Sequence, residues 1–121
     1  MTTRTWHHRK LDVWRTSMDL ATAIYSLTKQ LPGSERFGLV TQMRRAVVSV
    51  PSNIAEGAAR GSSAEFSRFL MIARGSIAEL ETQLELVQRL DLTSVDPSIG
   101  EKLQSIRQML TGLIRKVANK S

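Results

Sequence analysis

Apolar positions recur at steps of three and four residues in four separate stretches, the spacing that gathers side chains on one face of an α-helix. Val13, Ser17, Leu20, Ile24, Leu27 and Leu31 form the first stripe, with Trp14, Met18, Ala21 and Tyr25 beside it, and Pro32 with Gly33 ends it. Val40, Met43, Val47, Val50 and Ile54 form the second, which continues through Pro51. A proline inside a helix removes one backbone donor and crowds the carbonyl four residues earlier, so a kinked helix is predicted. Ser62 to Glu65 has capping-box spacing, and Phe66, Phe69, Ala73, Ile77, Leu80, Leu84, Val87 and Asp91 follow on one face. Asp96 before Pro97 is an N-cap followed by a first-turn proline, ahead of Ile99, Leu103, Ile106, Leu110, Leu113 and Val117.

The stripes predict helices over 12–31, 37–59, 63–91 and 97–118, with Gly57 and Gly61 bracketing the turn between the second and third. Short connections then favour an all-α, antiparallel up-down-up-down four-helix bundle. Residues 1–121 fit one domain, with 1–10 a polar, basic arm whose Trp6 is placed to dock on the bundle. Aromatics are only 5% of the chain while Leu, Ala, Ile and Val dominate its apolar set, which suits helix packing better than a sandwich of sheets. The third helix carries a second apolar set, Leu70, Ile72, Leu86 and Leu90, and the second adds Ala46, Val48 and Ala55. One bundle buries one face of each helix, so this surplus predicts association of copies.

No apolar run reaches the roughly 20 residues that span a bilayer, and Arg4, His7, His8, Arg9 and Lys10 interrupt any signal-peptide core. No membrane role and a cytoplasmic location are expected. The absence of cysteine excludes disulfides, thiolate zinc sites and a cysteine nucleophile. The net charge of +6 favours acidic partners, nucleic acid among them. Bringing the start of the first helix beside the end of the fourth would cluster Arg4, Arg9, Lys10, Arg15, Arg115, Lys116 and Lys120 into a phosphate-binding surface. A helix-turn-helix signature and an aromatic stacking platform are both missing, so any such binding is expected to ignore sequence.

Catalytic constellations are hard to assemble from these residues. A di-iron bundle site needs Glu-x-x-His pairs, and the two histidines, His7 and His8, sit together in the arm. Ser26 to Lys29 matches Ser-x-x-Lys inside an amphipathic helix without its companion motifs. The chain is expected not to be an enzyme and to need no cofactor or metal. Arg44 and Arg45 are expected near the level of Glu79 and Glu81 on the neighbouring helix, in a structural ion-pair network. Together with Ser52, Asn53 and Glu56 they are expected to hold helix contacts or a subunit interface.

The run from Gln42 through Arg44, Arg45, Ser49, Pro51 and Asn53 to Gly57 packs polar groups around a proline. With Leu11, Val13 and Trp14, then Gly38 and Leu39, Phe66 and Phe69, and the stretch Ala73 to Gln83, it closely resembles a bacterial four-helix-bundle family. That family is encoded by intervening sequences in large-subunit rRNA genes and is related to accessory proteins of diversity-generating retroelements. The resemblance covers roughly residues 11–92; Arg15, Thr16 and Ser17 depart from the Gln-Lys-Ala that often follows the tryptophan. It implies a bundle assembled into a ring, commonly a homopentamer, and for the retroelement relatives binding to nucleic acid and a reverse transcriptase. The expected function is thus a non-enzymatic homo-oligomeric binding module associated with RNA or DNA through phosphates. The alternative is a scaffold for a protein partner such as a polymerase.

Overall fold

Leu11, in extended conformation, leads into the first helix, α1 (Asp12–Thr28), and three more follow: α2 (Thr41–Ala59), α3 (Ser63–Arg89) and α4 (Pro97–Ala118). A computed structural model of the chain describes residues 6–119, and among these there is no strand. Each helix packs on two others in a cycle, α1 on α2, α2 on α3, α3 on α4 and α4 on α1. Contacts run in opposite directions along neighbours: Ser49 meets Ser76 while Gly57 meets Phe69, and Arg74 meets Thr111 while Glu81 meets Arg107. The turn before α4 returns to the end of α1, where Thr93 bonds Gln30.

The stripes become one apolar cluster. Leu20, Ile24, Met43, Val47, Val50, Ile54, Leu70, Ile77, Leu80, Ile106 and Leu110 are wholly buried, each contributing about 2 kcal/mol of burial. Leu70 and Ala46, expected on a surplus surface, belong to this core, because α2 and α3 lie close enough to enclose them. Ile72, Leu86, Leu90 and Val48 do stay exposed, and Ala55 is half-buried.

Helix ends show where local chemistry overrides the stripes. Leu31 remains buried, but α1 stops at Thr28 and the chain tightens into bonds from Gln30 N to Leu27 O and Leu31 N to Thr28 O ahead of Pro32, whose preceding residue disfavours helical geometry. A 3-10 turn, Gly33–Glu35, and a wide π-type turn, Arg36–Val40, precede α2, which therefore starts later than residue 37. Gly38, at φ −109° and ψ −106°, is the non-helical residue within this entrance. Past it α2 continues without interruption through the buried Pro51.

Ser62 caps α3 by accepting from the Glu65 amide at 3.2 Å, whereas the Glu65 carboxylate bonds Arg68 and not the cap residue, so only half of the box forms. Asp91 does not extend the α3 face. It adopts a left-handed conformation, φ 54°, and ends the helix in a Schellman motif with Leu92 N donating to Val87 O and Asp91 N to Gln88 O. Asp96 caps α4 through the Ser98 amide at 2.9 Å, with Pro97 in the first turn.

Gly61, at φ 75°, makes the α2–α3 turn, but Gly57 lies inside α2 and does not bracket it. A Cβ at position 57 would lie 2.7 Å from Phe69 Cβ and 3.1 Å from Phe66 Cδ1, so glycine here permits close approach of the two helices. Trp6 docks at the same end, its ring 5.4 Å from that of Phe66.

Candidate nucleic-acid interface and its neighbouring clefts

Adjacent residues on a helix point about 100° apart, and this separates the two central arginines. Arg44 faces α1: its Nε donates to Thr28 Oγ1 at 2.9 Å and its guanidinium lies 4.5 Å from the Tyr25 ring centroid. Arg45 is exposed and among the described residues forms no hydrogen bond or ion pair. It shares an α2–α3 cleft of ≈ 450 Å³ with Gln42, Ser49, Ser76 and Glu79. The expected network from Arg44 and Arg45 to Glu79 and Glu81 does not form within the chain. Glu81 instead reaches Arg107 on α4 at 2.5 Å, and Glu79 accepts from Gln83 at 3.3 Å.

What joins α2 to α3 is a neutral relay. Asn53 Nδ2 donates to Ser49 O at 2.8 Å and Ser49 Oγ at 2.9 Å, and Ser49 Oγ pairs with Ser76 Oγ at 2.8 Å. Each such bond contributes about 1 kcal/mol. Glu56 pairs with Arg60 one turn on, and Ser52 is exposed. Gln83 Oε1 is buried without a partner among the described residues, a deficit of about 1–3 kcal/mol.

The basic surface lies where α1 begins and α4 ends. Arg9, Lys10, Arg15, Arg115 and Lys116 are exposed there, while Arg4 and Lys120 lie outside the described residues. Arg15 bonds Asp12 and donates to Arg9 O at 2.7 Å; Arg9 sits 5.6 Å from the Trp14 ring, against which His8 also packs at 5.0 Å. The α2–α3 turn adds Arg60 and Arg68, which cover Phe69 at 5.0 and 4.8 Å. These two were missed in the linear reading, where they belong to a different segment. Asp12, Glu56 and Glu65, the carboxylates at this end among the described residues, are each paired with an arginine. The Arg68 guanidinium hydrogen-bonded to Glu65 holds that carboxyl below the usual range.

A third feature went unnoticed in the sequence. At the opposite end of the bundle an open groove of ≈ 620 Å³ runs between α1 and the start of α2, lined by Tyr25, Arg36, Phe37, Val40, Thr41, Arg44, Arg45, Val48 and Ser49. Phe37 is 87% exposed, with the Arg36 guanidinium 5.4 Å from its ring. The available signal was its place off the α2 stripe, between an arginine and a glycine.

Among the described residues no three His, Asp or Glu side chains are grouped to hold a metal ion, and no helix is long and apolar enough to cross a membrane. No curated protein matches the chain in sequence. It is similar to a crystal structure from Bacteroides thetaiotaomicron of a protein with unknown function from the S23 ribosomal protein family. The TM-score is 0.77 at 29% identity, covering 85% of this chain and 95% of that one. The profile of the 23S rRNA-intervening sequence proteins matches residues 9–112, so the resemblance seen over 11–92 extends through most of α4, and the chain belongs to that family.

Proposed function

We propose that the protein is a non-enzymatic, self-associating module that binds RNA or DNA through phosphates in the cytoplasm. The charge imbalance at one end of the bundle carries this reading. Among the described residues seven cations gather there, Arg9, Lys10, Arg15, Arg60, Arg68, Arg115 and Lys116, against three carboxylates already paired, a net of four positive charges. Such a surface releases counterions when it meets a phosphate backbone and is indifferent to base identity. Neutralising four phosphates predicts a fall in affinity of roughly 100-fold between 50 and 200 mM salt. Fluorescence anisotropy with a labelled RNA duplex across that range tests it; affinity unchanged by salt, or no binding at the low end, would defeat the reading.

Self-association rests on Met71, Ile72, Leu86 and Leu90, large apolar side chains exposed on α3, and Met18 exposed on α1. Since α1 and α3 each pack on α2 and α4, these patches lie on opposite flanks. Contact between unlike flanks repeats by rotation and closes a ring. Five copies, the number implied by the family resemblance, would scatter light as about five times 13.5 kDa. A monomer persisting at high micromolar concentration refutes assembly, and a dimer refutes the ring.

A further inference from the structure

We propose that the groove between α1 and the entrance of α2 seats an unpaired nucleotide, its base stacked on Phe37 and its phosphates held by Arg36 and Arg45. This goes beyond the phosphate-directed surface at the other end of the bundle and rests on that reading only for the class of ligand.

The backbone builds the platform. Gly38 departs from helical geometry, and Thr41 Oγ1 donates to Arg36 O at 2.8 Å, which ties the π-type turn to the first turn of α2. On this turn Phe37 projects into solvent at 87% exposure, although the core lies one helix face away. Tyr25 and Phe37 each carry an arginine over the ring, Arg44 at 4.5 Å and Arg36 at 5.4 Å, but Tyr25 is only 39% exposed, so Phe37 offers the larger aromatic surface to a ligand. Base stacking on such a ring tolerates any sequence, because every base presents a π face.

The charges specify the occupant. Among the described residues lining the groove three are arginines and none is acidic. Glu35, the nearby carboxylate in sequence, has its Oε1 3.3 Å from where a Gly38 Cβ would stand and does not line the groove. Arg36 stacks over Phe37, and Arg45, which also borders the cleft holding Glu79, forms no hydrogen bond or ion pair among the described residues, so both guanidiniums are available to phosphate, for which their planar fork is suited. The volume, ≈ 620 Å³, falls in the range of about 300–1,000 Å³ typical of small-ligand sites. A planar anion satisfies both halves of the groove, whereas another copy of a chain carrying +6 brings like charge to three arginines.

The test compares labelled single-stranded RNA of about twelve nucleotides with a duplex of equal length, binding the full chain at one fixed salt concentration. Phe37→Ala should weaken single-strand binding by roughly 5- to 100-fold and leave duplex binding unchanged, with Phe37→Tyr close to wild type. Arg36→Gln with Arg45→Gln should weaken the single strand too. The proposal is overturned if Phe37→Ala changes neither ligand, or both equally, while duplex binding persists; the reading of the basic end then survives. Failure of wild type to bind either ligand sinks both. A smaller assembly for Phe37→Ala by light scattering also overturns it, since the groove would then be a contact between copies.

Discussion

Replacing Gly57 with alanine sets two opposed effects against each other at one atom. In a helix interior, alanine is favoured over glycine by about 1 kcal/mol. Against this, the new Cβ would lie 2.7 Å from Phe69 Cβ, 3.1 Å from Phe66 Cδ1 and 3.4 Å from Phe66 O. Ordinary carbon contacts need about 3.5–4.0 Å, so α2 and α3 must separate locally by roughly 1 Å. The nearest atom is a Cβ held directly by the α3 backbone, so no side-chain rotation relieves it. Overpacking of this kind costs about 1–3 kcal/mol, here toward the upper end. The expected net is a loss of about 1–2 kcal/mol, read as a Tm lower by about 4 °C per kcal/mol. Gly100→Ala and Gly112→Ala, where no neighbouring atom lies within 4 Å of the new Cβ, should instead gain up to about 1 kcal/mol each. Urea unfolding followed by helical circular dichroism measures all three, at matched protein concentration because association raises apparent stability. A Gly57→Ala chain as stable as wild type would refute the claim that glycine sets the helix separation.

Asp91→Gly should stabilise by about 0.5–1 kcal/mol, because it removes a side chain from a left-handed backbone, φ 54°; an unchanged urea midpoint would count against a strained cap. The Ser98 amide bonded to the Asp96 carboxylate holds its pKa below the ordinary value. The stabilisation it supplies is complete above that ordinary value and is lost as pH falls through the lower folded one. The gap between wild type and Asp96→Ala should therefore narrow below about pH 4; a constant gap excludes the charged cap. Gln83→Met removes a buried oxygen with no partner among the described residues, a gain of about 1–3 kcal/mol, and loses the long bond to Glu79, about 1 kcal/mol, so stability should rise by about 1 kcal/mol in the same unfolding assay. Arg115→Gln with Lys116→Gln should flatten the slope of log affinity against log salt by about 2 for duplex RNA, and an unaltered slope would move the phosphate contacts elsewhere.

The four helices could be read from the chain because burial imposes a period, and Leu20, Ile24, Ile77, Leu80, Ile106 and Leu110 all sit where the stripes put them. Caps at Ser62 and Asp96 were equally legible, since each acts on an amide two or three residues away. The ends that shifted did so for reasons the stripe does not encode. Leu31 keeps its buried position without helical geometry, whereas Asp91, exposed and left-handed, leaves the stripe and closes the helix. A side chain can satisfy the pattern from a turn, so periodicity bounds a helix only to within a turn.

The candidate sites were harder to read because they depend on azimuth and register between helices, which no single stretch contains. Arg44 and Arg45 look like one feature in sequence, yet their different directions send one to Tyr25 and Thr28 and leave the other in the cleft with Glu79. Glu79 and Glu81 diverge in the same way, so Glu81 finds Arg107 on α4, a residue that no local motif connects to it. The same logic enlarges the basic end: Arg60 and Arg68 join Arg9 and Arg115 only because helices return to a common end. Phe37 depends on a backbone departure at Gly38, which a helical wheel cannot represent. Local irregularity therefore decides where this bundle presents its exposed aromatic ring, while regular periodicity decides only what it hides.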